Sequence, residues 1–214
     1  MAKLKNGIFG PGSGSIGNVV LSSRNGKPYI KSKPDKVKNP QTPKQQAARM
    51  KLSLLSEMLG TFKPFIRAGF ANVPAGLSTR DVAYSANSKR IFNGEYPNIE
   101  IDFSSFLVSS GSLEPANEAS AALNGQVLAF TWDPNSNTGK PFSNHDIAMV
   151  LVYDAKDDFV VYSLRATERR TGQFNFEIPP GMASSSETLH TWICFVSADG
   201  RQSSESTYLA VGGE

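Results

Sequence analysis

Asn39-Pro40-Gln41-Thr42-Pro43-Lys44-Gln45-Gln46 divides the chain. The Thr42 hydroxyl suits a helix N-cap, where it accepts a hydrogen bond from a first-turn amide that otherwise has no partner. Pro43 then takes the first helical position, where its missing N–H costs nothing. Gln45, three residues after Thr42, completes a capping box. Beyond it Ala48, Leu52, Leu55 and Leu59 recur at helical spacing, and Ala47, Met50, Leu54 and Met58 widen the stripe. The spacing predicts a helix over 42–59 with one buried face, ended by Gly60 in a left-handed cap.

Upstream, residues 31–40 form a basic linker that Pro34 and Pro40 keep out of helix. Before it, Asn25-Gly26 is a strong short hairpin signal, because a type I′ turn needs positive φ at both central residues. A two-residue loop pairs Arg24 with Lys27, Ser22 with Tyr29, Leu21 with Ile30 and Val19 with Ser32, within a hairpin over 18–33. Period-two alternation then puts Val19, Leu21 and Ile30 on one face and Val20, Tyr29 and Lys31 on the other. Gly12, Gly14 and Gly17 match G-x-G-x-x-G in form, but Asn18–Ser23 is strand-like where a dinucleotide fingerprint needs a helix. Glycines at a strand end are the better reading.

The net charge of +3 conceals an asymmetry. Residues 1–90 hold 16 Lys and Arg against 3 Asp and Glu, and residues 91–214 hold 6 against 16. Such a chain suits an anionic partner for its basic half, or contact between copies. Lys27, Lys31, Lys33, Lys36, Lys38, Lys44, Arg49 and Lys51 are the candidate contacts, with only Asp35 among them in opposition. The partner classes are a protein or a second copy first, and nucleic acid second, since Tyr29 alone supplies an aromatic platform.

Three runs carry a family resemblance: Gly14-Ser15-Ile16-Gly17-Asn18-Val19-Val20, then Asn25 to Pro34, then Lys38 to Gln46. They resemble the amino-terminal signature of the DUF6266 family of uncharacterised Bacteroidetes proteins, most densely over residues 7–70. The resemblance implies no activity. Similar blocks in phage-like or mobile-element settings imply a structural role.

Downstream, Phe62, Phe65, Ile66 and Phe70 extend the helix packing through a second short turn, and Ser78 or Thr79 caps a weaker helix over 79–92. From Tyr96 the texture changes. Strand-like runs recur at Phe106–Ser109, Gln126–Trp132, Ile147–Asp154, Phe159–Ala166, Gly172–Ile178, Leu189–Ala198 and Ser206–Val211. That spacing predicts an immunoglobulin- or fibronectin type III-like antiparallel β-sandwich over 96–214, after a basic α+β segment over 1–95. Val127-x-Ala129-x-Thr131-Trp132 resembles the second strand of a fibronectin-like module, whose tryptophan enters the core. Trp192 and Phe195-x-Ser197 resemble its late strand.

No residue set carries catalysis. Cys194 sits among strand formers and reads as a buried, inert thiol; as the lone cysteine it excludes an internal disulfide. Asp154, Asp157 and Asp158 crowd one turn with Lys156, too few oxygens for calcium. Glu100 and Asp102 share a strand face as solvent-facing charges. His145 and His190 lack metal-ligand spacing to each other or to Cys194. Arg165, Arg169 and Arg170 read as a solvated strand edge. The reading is therefore a non-enzymatic structural or interaction protein, such as a virion-like or mobile-element assembly component, with no cofactor, metal or small-molecule ligand indicated. Alternatives are a nucleic-acid-binding protein using the basic segment, or a carbohydrate or surface adhesion module. The basic start Met1–Gly7 is followed by no apolar run and no stretch is long enough to span a bilayer, so the expected location is cytoplasmic or particle-associated.

Overall fold

A computed structural model describes residues 2–3, 13–24, 26–34, 39–135, 139–179 and 188–213. The chain forms two compact units, 1–42 and 43–214. The boundary expected at 95/96 falls inside the second.

The first unit is one antiparallel sheet of β1 (Ala2–Lys3), β2 (Gly14–Ile16), β3 (Val19–Arg24) and β4 (Lys27–Ser32), in the order β1-β4-β3-β2. The β3–β4 register is the expected one, from Val19 opposite Ser32 to Arg24 opposite Lys27. Gly26 has φ 73°, as the turn requires; Asn25 lies outside the described residues. Gly17, at φ 56°, turns β2 into β3. Gly12 of the glycine motif lies outside the described residues, and a strand follows the motif.

Among the described residues the second unit is mainly β with three α-helices. Helix α1 (Pro43–Thr61) opens where Pro43 predicts but runs through Gly60, whose position faces open space and does not end the helix. Helix α2 (Lys63–Gly69) follows at once, its chain continuing the carbonyl ladder from Met58 to Phe62 and from Phe62 to Ile66. Helix α3 (Thr79–Asn87) starts with a full capping box between Ser78 and Asp81, and ends before the expected residue 92. Ile91 is then buried from a loop, and β5 (Phe92–Asn93) pairs with β6 (Glu100–Ile101).

The remaining strands are β7 (Ser120–Asn124), β8 (Val127–Thr131), β9 (Ile147–Asp154), β10 (Phe159–Glu168), β11 (Gln173–Glu177), β12 (Leu189–Val196) and β13 (Thr207–Gly213). They make one mixed sheet in the order β10-β9-β12-β13-β7-β8-β11. Strand β13 serves two partners: Thr207–Ala210 pairs antiparallel with β12, and Val211–Gly213 pairs parallel with β7. The sheet curls nearly closed, so that Val150 and Val152 of β9, and Ile193 and Phe195 of β12, pack with Leu128 and Phe130 of β8. The alternate residues Met149, Leu151, Tyr153, Trp192, Cys194 and Val196 face Leu55, Leu59, Phe62, Phe65 and Ile66 of the helical layer. Strands β9 and β12 are thus buried on both faces, which is why they read as unbroken apolar runs.

Six of the seven expected strands form. The run Phe106–Ser109 does not: it is buried irregular chain whose polar groups are met by side chains. The Leu107 amide donates to Asn87 Oδ1 at 2.8 Å, and the Val108 amide donates to Ser206 Oγ at 3.1 Å. The Phe106 carbonyl accepts from Trp192 Nε1 at 2.9 Å. Strand β7, rich in alanine, takes the place in the sheet. Trp132 enters the inner core, whereas Trp192 faces the helices.

Candidate interaction surfaces

In the first unit the β3–β4 register places Val20, Ser22 and Arg24 on the same face as Lys27, Tyr29 and Lys31. The pairing runs one step past β4, because the Lys33 amide donates to Asn18 O at 2.8 Å. Lys27, Lys31 and Lys33 are exposed and Tyr29 is half-buried. The opposite face carries Ile16, Val19, Leu21, Pro28 and Ile30, with Ile16 67 % and Val19 38 % exposed. None of the described side chains of this unit is buried, and none is acidic.

The other expected contacts lie elsewhere. Lys36 and Lys38 fall outside the described residues. Lys44 and Arg49 are exposed on α1, in the second unit. Lys51 is half-buried there, its Nζ 5.3 Å from the centre of the Phe92 ring, a cation–π distance. The run that is continuous in sequence is therefore shared between a sheet face and a helix.

The main charged cluster of the second unit was not visible in the sequence. Arg169, expected in a solvated edge, is fully buried in the turn after β10. Its Nη2 donates to Glu114 O at 2.5 Å and its Nη1 to Pro115 O at 3.4 Å. Its Nε stands 3.5 Å from Asp146 Oδ2, an ion-pair distance without a directed hydrogen bond. The guanidinium carbon lies 3.6 Å from the centre of the Phe195 ring. Burial pulls the Arg169 pKa down, and the Asp146 and Glu114 charges oppose that shift. Asp146 also accepts the Ser143 amide at 2.8 Å, and Trp132 Nε1 donates to the Arg169 carbonyl at 2.8 Å. This arrangement ties loops to the sheet end. The neighbouring arginines do not join it: Arg170 Nε pairs with Glu168 at 2.6 Å, and Arg165 is exposed.

The other ionisable candidates also serve local structure. Asp154 is buried and accepts the Lys156 amide at 3.0 Å, while Asp158 accepts the Tyr153 hydroxyl at 2.9 Å. Asp102 accepts from the Ser104 amide and from the Ser104 and Ser105 hydroxyls, which hold its carboxyl below the usual range. Glu100 is exposed on β6. His145 Nδ1 lies 3.3 Å from Glu168 at the surface. His190 stacks on Phe103 with centroids 4.2 Å apart, and its Nδ1 is 2.9 Å from the Tyr208 hydroxyl. Cys194 is fully buried, and burial pushes its thiol up to about 12. An open groove of 540 Å³ is lined by Gln126, Val127, Glu177, Ile178 and Pro179, with a single carboxylate.

Among the described residues the first unit exposes lysines on one face and Ile16 and Val19 on the other, while the charges buried in the second unit serve its own fold. Among the described residues no helix is long and apolar enough to cross a membrane. No curated protein and no solved structure matches the chain. One family model does, over residues 11–210, well beyond the amino-terminal runs that carry the resemblance. The chain therefore belongs to DUF6266, a family of unknown function.

Proposed function

We propose that this protein is a non-enzymatic structural or interaction component of an assembly. The observation that carries the reading is the first unit: four strands with no buried side chain among its described residues. A sheet of this size needs a packed hydrophobic face to be stable. The apolar side formed by Ile16, Val19, Leu21 and Ile30 is the surface to be covered, by a second copy or another protein. The charge layout supports that reading, since residues 1–42 hold 8 Lys and Arg against 1 acid, and residues 43–214 hold 14 against 18.

The second unit fits the role of a rigid body, which we read as an immunoglobulin- or fibronectin type III-like sandwich. Its strand order supports two layers, β7-β8-β11 and β10-β9-β12-β13, joined where β13 changes partner. Taken as strands A, B and E against C′, C, F and G, this is the layer assignment of such sandwiches.

Light scattering over a range of protein and salt concentrations tests the assembly reading. Association is expected, weaker in high salt, and weakened further when Ile16→Ser and Val19→Ser are combined. A chain that stays monomeric throughout, with the amides of 14–32 protected from hydrogen exchange in the monomer, overturns it.

A further inference from the structure

We propose that the β4 row Lys27, Tyr29, Lys31 and Lys33 binds single-stranded nucleic acid, the lysines on phosphates of one strand and Tyr29 under a base. The site lies on the face opposite Ile16 and Val19, so it stands or falls separately from the assembly reading.

Residues two apart on a strand repeat at about 7 Å. The row therefore sets Lys31 and Lys33 about 7 Å apart, close to the spacing between phosphates of an extended nucleic-acid strand, and Lys27 about two such steps from Lys31. Lys33 belongs to it because the pairing of its amide with Asn18 keeps the alternation past the end of β4. All three lysines are exposed, and among the described residues no carboxylate pairs with them. Arg24 lies directly across from Lys27. Two like charges in that position repel, and a phosphate between them relieves the repulsion.

Tyr29 selects the ligand class. It stands between two cations of its own row, two residues from each, as a stacking platform stands in a groove that tracks a phosphate backbone. A base inside a duplex offers it no free face, and a carboxylate offers it no ring.

Fluorescence anisotropy of a labelled oligothymidylate with the full chain, at about 50 and 200 mM salt, tests the site. Binding that weakens steeply with salt is expected. Combining Lys27→Gln, Lys31→Gln and Lys33→Gln lowers the slope of log K against log salt by about 2, at about 0.7 per lost phosphate contact. The matching arginine variants keep the slope. Tyr29→Ala loses about tenfold in affinity with the slope unchanged, and Tyr29→Phe keeps both. Circular dichroism confirms folding, and if Tyr29→Ala unfolds, the lysine series and Tyr29→Phe decide. Absent or salt-independent binding, or an unchanged slope in the glutamine variant, overturns the proposal. So does equal affinity for duplex, or displacement by polyglutamate as effective as by unlabelled oligothymidylate, which points to an acidic protein.

Discussion

The guanidinium of Arg169 lies flat enough over Phe195 to bring its central carbon 3.6 Å from the ring centre, with Asp146 at ion-pair distance from Nε. A charge from the turn after β10 is thereby held on the inner face of β12, against the apolar cluster that contains Phe195. The ring face favours the cation, and the Glu114 and Pro115 carbonyls accept from its two arms.

Removing that cation strands its partners. Arg169→Ala leaves Asp146 buried without its ion-pair partner and the Glu114 and Pro115 carbonyls without their donor, and is expected to cost about 3–5 kcal/mol. Arg169→Lys is also destabilising, because an ammonium cannot reach both carbonyls and stack at once. Urea unfolding reads both as a lower midpoint at unchanged slope.

His190 makes stability depend on acid. Burial holds its folded pKa below the ordinary 6.5, with the Asp154 charge working the other way. The folded state therefore prefers neutral imidazole, beside the Tyr208 hydroxyl and under Phe103. Stability from this group is present above 6.5 and is lost as pH falls through the folded value. Melting temperatures from about pH 8 to 5 are expected to drop more for the natural chain than for His190→Gln.

Cys194 acts at the other end of the scale. Its folded thiol is held up to about 12 against an ordinary 9.0, mainly by burial, while a Ser109 hydrogen bond lowers it slightly. Between those values the unfolded chain releases a proton that the folded chain keeps, so stability falls as pH rises. At about pH 8 iodoacetamide is expected to label the thiol only after denaturant opens the core. Labelling of the native protein at the rate of a free thiol contradicts the burial.

Two helical glycines separate cleanly. Gly60 faces open space in α1, and Gly60→Ala is expected to stabilise by about 1 kcal/mol through helix propensity. At Gly69 an added Cβ meets Ser109 Cβ and the Val108 carbonyl oxygen, each at 2.6 Å. Gly69→Ala is expected to cost about 1–3 kcal/mol. Thermal melts of the two variants should shift in opposite directions.

The strands that were legible are those whose environment repeats along the chain. Strands β9 and β12 lie between two apolar layers, so every residue carries the signal. Strand β7 is not legible because Ser120-Ala121-Ala122-Leu123-Asn124 has little β-propensity. A local cue was present in Asn124-Gly125: the loop Gly125–Gln126 joins β7 to β8, and Gly125 has φ 63°. Phe106–Ser109 has the opposite character, buried and apolar like a strand yet irregular in backbone. Their amides are met by Asn87 and Ser206, and no feature within the run shows those partners.

The order of residues alone was enough for the β3–β4 register, the start of α1 and the apolar runs of β9 and β12. Each of these depends on backbone geometry or side-chain alternation over a few neighbouring positions. Folding in three dimensions decided the rest: the change of partner along β13, the use of both faces of β9 and β12, and the burial of Arg169. That arginine reads as a surface charge until Glu114, 55 residues earlier, brings its carbonyl to the guanidinium. A charge can leave water only where distant groups replace the water's hydrogen bonds, and which groups those are is settled by packing.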